Sequence, residues 1–105
     1  MIRSVIAVKF KPGTPPEQVA GLINAMQALE CEGLLSLSCG TDLRLREGNW
    51  DYTLTADFKD RDSYALNDQH PEHNRIRHEI ASGITESAVR VQFEVPPLGL
   101  DDDPS

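Results

Sequence analysis

Residues 51–58 alternate strictly between polar and apolar side chains, and this pattern constrains the fold more than any other part of the chain. Aspartate or threonine occupies positions 51, 53, 55 and 57, and Tyr52, Leu54, Ala56 and Phe58 lie between them. A repeat of two residues is typical of a β-strand, whose successive side chains point to opposite faces of a sheet. The segment therefore predicts a strand with one apolar face, which a second layer of structure must cover.

Three further segments have the sequence of strands, and they lie at 2–10, 34–43 and 87–95. The first is rich in β-branched residues and ends at the turn sequence Lys11-Pro12-Gly13. The other two alternate between apolar and polar side chains. Together with 51–58 they predict a sheet of four strands.

Helical signals separate these strands. Thr14 can cap a helix that contains Pro15 and Pro16 in its first turn and ends at Gly33. Capping and proline signals predict two more helices, at 60–68 and 71–82. The order βαββαβ, with the second helix broken in two, predicts a ferredoxin-like α+β fold in which helices cover one face of a four-stranded antiparallel sheet.

Each face of the predicted sheet has a different composition. One face is apolar enough to meet the helices, whereas the other holds three basic and three acidic residues among small side chains. Such a face can be solvated, or it can pair with a copy of itself across a two-fold axis, which we favour. We expect Arg90 to lie in that interface. The charged set is Arg3, Lys9, Arg90, Asp51, Asp57 and Glu94, and the predicted core set is Ile2, Ile6, Val8, Phe10, Leu35, Leu37, Cys39, Tyr52, Leu54, Ala56, Phe58, Val89, Val91, Phe93 and Val95.

Length and charge limit the partners of this chain. Its 105 residues suit one domain, predicted at 1–96, and an acidic tail at 97–105 whose leucines should reach the other subunit. Asp plus Glu number 17 against 10 for Lys plus Arg, and a net charge of -7 should repel nucleic acid. No apolar run has the length of a membrane span, and no signal-type segment opens the chain. We therefore expect a cytoplasmic protein with no membrane partner.

Metal and cofactor motifs are missing from the sequence. His70, Glu72, His73 and His78 do not share a helical face at ligand spacing, and the two cysteines form no CxxC pair. Phosphate loops and nucleophile elbows are also missing. We predict no metal site and no cofactor.

His73 is the most informative polar residue on the predicted core side. It shares a helical stripe with Ile76 and should face Ser4 on the first strand and Tyr52 on the third. A neutral imidazole at this position could accept or relay a proton from a phenol or an enol. The alternative is a buried histidine that makes one hydrogen bond and has no chemical role.

Several segments together resemble the stress-responsive A/B barrel (Dabb) family. They are the opening residues 1–14, the strand at 35–40, Asp57-Phe58, the step His70-Pro71-Glu72-His73 and the closing residues 91–95. The resemblance spans nearly all of the chain up to Pro96. It implies a dimeric α+β barrel, in which two sheets pack together and the helices lie outside.

Within this superfamily the chain distantly resembles plant polyketide cyclases of the olivetolic acid cyclase type. The helix histidine of those enzymes falls on His73, but their first-strand histidine falls on Ser4 and their pocket tyrosine on Asn67. Their last-strand aspartate falls on Phe93, or on Gln92 if the register shifts by one, and neither residue is a carboxylate. The resemblance thus implies that the pocket is kept and that most of the cyclase machinery is not.

The leading hypothesis is a homodimer with an apolar pocket between sheet and helices that binds a small hydrophobic or aromatic molecule. An alternative is a cofactor-independent enzyme in which His73 shuttles a proton while Tyr52 and Ser4 orient the substrate. A third possibility is a structural dimer without a ligand. The residues expected to line the pocket are Ile6, Val8, Leu37, Leu54, Asn67, Ile76 and Phe93.

Overall fold

The computed structural model describes residues 1–96, and the predicted tail at 97–105 lies outside the described residues. The helix at Pro71–Ile76 runs without a break into a π-helical turn, Arg77–Ala81. The strands are β1 (Ile2–Phe10), β2 (Leu34–Thr41), β3 (Tyr52–Phe58) and β4 (Thr85–Glu94), and the helices are α1 (Pro16–Gln27), α2 (Arg61–Asp68) and α3 (Pro71–Ile76).

The four strands form one antiparallel sheet in the order β2-β3-β1-β4. The helices pack on one face of it, which confirms the predicted ferredoxin-like α+β fold. Within the described residues, no helix is long and apolar enough to cross a membrane.

The core lies between the apolar face of β3 and the helices. Tyr52, Leu54, Ala56 and Phe58 are all buried, as the alternation at 51–58 predicts. Helices α1 and α3 contribute buried apolar residues, and Tyr64 of α2 packs edge-on against Phe58 with ring centroids 5.5 Å apart. The other buried apolar residues are Ile2, Val8, Leu22, Met26, Leu29, Ile76 and Ile84.

Two helix starts illustrate how capping works in this chain. Asp60 caps α2 as predicted, because its side chain accepts a hydrogen bond from the Ser63 amide at 2.8 Å. The expectation that Thr14 caps α1 was wrong, since the N-cap is Pro15 and the Thr14 hydroxyl instead donates to the Lys11 carbonyl. The cause is Pro16, which restricts the residue before it to extended backbone.

The face predicted for β4 was also wrong. Ser4, Ile6 and Val8 on the helix side of β1 lie opposite Gln92, Arg90 and Ala88. Val89, Val91 and Phe93 therefore point away from the helices, with exposed fractions of 51%, 59% and 44%. Arg90 belongs to the helix side, so it is not part of the charged outer face expected to form an interface. By the same register Glu94, opposite Ile2, lies on the helix side too.

A register shift in β2 corrects one more core residue. Leu34 pairs with Phe58 whereas Ser36 pairs with Asp57, so Leu35 lies in a bulge and is 58% exposed. Beyond the bulge Leu37 resumes the predicted alternation and packs against the core.

Gly33 precedes the bulged end of β2 and lies close to Ser63 of α2. Gly33 has φ 84, and a Cβ there would lie 2.0 Å from the Ser63 hydroxyl oxygen. Gly48 has φ 83, but within the described residues no heavy atom would lie within 4 Å of its Cβ. Gly48→Ala should therefore lower the free energy of unfolding by about 1–2 kcal/mol through backbone strain alone. Gly33→Ala should cost roughly 1–3 kcal/mol more, because α2 must move.

Urea unfolding of both variants measures this difference. Equal reductions in the free energy of unfolding for the two variants would show that α2 does not pack against Gly33.

Candidate functional site

Two small cavities lie between the sheet and the helices. The larger has a volume of about 100 Å³ and lies between strands β1, β3 and β4 on one side and the helices on the other. The smaller, of about 30 Å³, lies toward α2. They share the lining residues Ile6, Met26, Leu54, His73, Arg77 and Arg90.

His73 is held by the chain segment that precedes its own helix. Its Nδ1 lies 2.9 Å from the backbone carbonyl oxygen of Asn67, and a carbonyl can only accept, so Nδ1 carries a proton. His70 fixes the start of α3, since its ring nitrogen accepts a hydrogen bond from the Glu72 amide at 3.1 Å. In the neutral imidazole the other nitrogen, Nε2, is an acceptor, and it has no hydrogen-bond partner within residues 1–96.

The charge state of His73 follows from its surroundings. Burial lowers the pKa of His73 below the ordinary value, and the positive charge of Arg77 lowers it further. The Asn67 carbonyl and the carboxylate of Asp68 act in the opposite direction without reversing the shift. His73 is therefore neutral at pH 7.

Ser4 and Tyr52 lie on the same side of the sheet but are engaged elsewhere. The buried Ser4 hydroxyl accepts a hydrogen bond from Gln92 Nε2 at 3.1 Å. The Tyr52 hydroxyl is buried without a hydrogen-bond partner among the described residues, and burial, with the adjacent Cys39 thiol, raises its pKa. Across the described part of the chain, neither group is hydrogen-bonded to His73.

The structure places most of the expected lining residues around these cavities. Ile6, Val8, Leu54 and Ile76 line the larger cavity with Tyr52 and His73. Leu37 and Asn67 line the smaller one with Ser4. Phe93 does not join them, because the β4 register turns it to the opposite face of the sheet.

Two arginines line both cavities and were missed by the sequence analysis. Arg77 donates to the Asp68 carboxylate at 2.7 Å and to the Asn74 side chain at 3.0 Å. Arg90 lies opposite Ile6 in the sheet. For Arg90, the only signal in the sequence was its place among the polar residues of the β4 alternation. Composition alone would expose those residues to solvent.

A larger concave surface lies elsewhere on the protein. It is an open groove of about 590 Å³ between the segment after β1 and the loop after β2. Most of its charged groups serve the backbone and each other: Asp51 accepts from the Phe10 amide at 2.7 Å and from Arg44, and both contacts lower its pKa. Apart from Lys11, the charged residues that line the groove within residues 1–96 are used in such local contacts, so the helix-covered cavities are the better candidate site.

The outer face of the sheet differs from its sequence prediction. Arg3 binds Asp57 through two hydrogen bonds of 2.8 and 3.1 Å, which lower the pKa of Asp57, and Ser36 donates to the same carboxylate. The exposed apolar side chains of β4 lie beside this pair. The face is thus an apolar strip next to an internally neutralised ion pair. No cluster of three or more metal-ligating side chains occurs within residues 1–96.

Comparison with known families gives one match across nearly the whole chain. Residues 2–95 match the model of the stress responsive A/B barrel domain. Among curated proteins, none matches the sequence significantly.

Solved structures share the fold. A dimeric ferredoxin-like protein of unknown function from Thermobifida fusca is 28% identical, with a TM-score of 0.81 over 90% of each chain. The hydroxynitrile lyase of Passiflora edulis is 15% identical, with a TM-score of 0.78 over 90% of this chain and 93% of that one. An antibiotic biosynthesis monooxygenase is 12% identical, with a TM-score of 0.66 over 92% of this chain and 100% of that one. The two enzymes show a shared fold alone.

The lowered pKa of His73 predicts how stability depends on pH. Below about pH 6.5 the unfolded chain protonates this histidine while the folded chain does not, so the unfolded state binds more protons. The free energy of unfolding should therefore fall as the pH drops from 6.5 toward the pKa of folded His73. An NMR titration of the imidazole should give a midpoint below 6.5, and His73→Gln should reduce the loss of stability in this window. A midpoint above 6.5 would contradict the prediction.

Proposed function

The chain belongs to the stress-responsive A/B barrel domain family, and we propose that it is a homodimer whose helix-covered cavity binds a small, largely apolar molecule. The observation that carries the proposal is that His73 lines this cavity with a neutral imidazole, whose Nε2 has no hydrogen-bond partner within residues 1–96. Sparse polar groups that converge on an apolar space are the usual composition of a ligand site. A cytoplasmic location stays a prediction from the sequence.

The volume of the cavity limits the size of the molecule. An engineered apolar cavity of about 150 Å³ receives benzene, and the larger cavity here is smaller, about 100 Å³. Met26 lines both cavities, and its unbranched side chain can change rotamer at low cost, which would join them. We infer that the cavity takes one aromatic ring or a short branched chain.

The polar end of the molecule would meet His73. A hydroxyl group can donate to the free Nε2, because the proton on Nδ1 is already held by the Asn67 carbonyl. Ser4 and Tyr52 would contribute through shape more than through hydrogen bonds, since Ser4 is bonded to Gln92 and the Tyr52 hydroxyl lies next to Cys39.

A second function is supported by the same nitrogen. A neutral Nε2 beside a substrate hydroxyl or an acidic C–H group is a general base, and the family fold does host enzymes. In a catalytic pair the Nδ1 of the histidine donates to a carboxylate, whereas the Nδ1 of His73 donates to a backbone carbonyl. We therefore rank catalysis second to binding.

The outer face of the sheet supports the homodimer. Val89, Val91 and Phe93 are exposed at alternate positions of β4, beside Val5 and Ala7 of β1. A strip of this kind is typical of an interface, and the 28% identical protein is described as dimeric. A second copy fits it because the Arg3–Asp57 pair on the same face is already neutralised.

The binding proposal is tested by titrating ¹⁵N-labelled protein with phenol. Shifts should concentrate at amides of residues that line the two cavities. His73→Leu should weaken binding about fivefold, because one hydrogen bond contributes about 1 kcal/mol. The matched control is His78→Leu, on the exposed side of the same helical run, which should leave the affinity unchanged.

Ala88→Val adds volume inside the larger cavity and should also reduce binding. Shifts outside the cavities, or equal affinities for the two histidine variants, would contradict the proposal. If a substrate is found, a loss of turnover in His73→Leu that far exceeds the loss of binding would favour the catalytic function.

The dimer is tested with two neighbouring residues on opposite faces of β4. Val91→Glu should raise the dimer dissociation constant about thirtyfold or more, because a two-fold interface then holds two unpaired carboxylates at roughly 1–3 kcal/mol each. Arg90→Glu, on the helix side, should have little effect. Sedimentation at micromolar concentration measures both, and a monomeric wild-type protein would overturn the proposal.

A further inference from the structure

Arg90 gives the cavity lining a second positively charged group besides Arg77. We propose that the molecule bound by the cavity carries a carboxylate or a similar anionic group, and that Arg90 binds this group where the cavity meets solvent. The inference rests on the proposed function and adds the chemical class of the ligand.

Arg90 lies on the helix side of β4. It pairs with Ile6 across the sheet and lines both cavities with His73, so its side chain extends over the cavity side of β4. Arg90 is nonetheless exposed, which places the guanidinium at the open edge. A ligand with an apolar end in the cavity would therefore present its other end to Arg90.

Few carboxylates line the two cavities in the described part of the chain. Asp68 is the only carboxylate residue that lines either of them within residues 1–96, and it is bound by Arg77. Arg90 has no carboxylate within 4.0 Å in the same part of the chain, whereas Arg3 and Arg75 are each paired. Among the described residues, the cavity lining thus has one positive charge without an ion-pair partner, in a chain whose net charge is -7.

The neutral state of His73 determines which end of the ligand this histidine can bind. The free Nε2 is an acceptor and would repel a carboxylate, so the anionic group belongs at Arg90 and the apolar part or a hydroxyl belongs at His73. A guanidinium binds a carboxylate through two parallel hydrogen bonds, which also fixes the orientation of the ligand. Arg90 and His73 would therefore bind the two ends of one small acid.

Benzoate and benzamide test this inference, because they have nearly the same shape and differ in charge. Both would be titrated into ¹⁵N-labelled wild-type protein and Arg90→Gln at low and at high salt. Benzoate should bind the wild type about three- to tenfold more tightly than benzamide, as expected for a partly exposed ion pair. Arg90→Gln should remove this preference, because only benzoate has a charge that the guanidinium can neutralise, and salt should weaken benzoate binding alone.

Two further variants sharpen the comparison. Arg46→Gln removes the same charge from the exposed loop between β2 and β3, away from the cavity lining, and should leave the preference for benzoate intact. Arg90→Lys keeps the charge but loses the two-pronged contact, and should retain part of the preference.

The outcomes separate this inference from the function on which it rests. If phenol and benzamide bind at the cavity but benzoate binds no better, or if the preference survives in Arg90→Gln, the role of Arg90 is wrong while the cavity proposal stands. If none of the three probes shifts the cavity residues, both proposals fall.

Discussion

The pairing of β1 with β4 is the constraint on which both surfaces of the sheet depend. It sets Gln92 against Ser4 and Arg90 against Ile6, so these polar side chains lie on the helix side. A slip of one residue would exchange the two faces of β4 and carry its exposed apolar side chains into the core. The same register thus determines the charge beside the cavity and the apolar strip that supports a dimer.

The polar groups near the cavity act independently of one another. His73 is oriented by a backbone carbonyl, a contact that needs the path of the chain after α2 and no particular side chain at Asn67. Ser4 is occupied by Gln92, and the Tyr52 hydroxyl is buried next to Cys39. The arrangement favours a site that binds through shape and one or two polar contacts over a site with a proton relay.

The relation between fold and function is loose in this architecture. Proteins of 12% and 15% identity that share the fold are named as a monooxygenase and a hydroxynitrile lyase, and a more similar one has no known function. A fold can host unrelated chemistry because function resides in the few side chains that line its cavities. For this chain our proposal rests on His73, whose pKa is lowered, and on Arg90, which has no carboxylate within 4.0 Å among residues 1–96.

The sequence by itself determined the strands, the helices and their order, because periodicity and capping are local properties of the chain. It also placed His73 beside Ile76 on one side of a helix. It could not determine which half of the β4 alternation faces inward, since alternation defines two faces without orienting them. It likewise missed the bulge that exposes Leu35. Only the tertiary structure decided these points, because pairing across β1 and the packing of helices on one face choose the register, and that choice moved Arg90 to the cavity and Phe93 away from it.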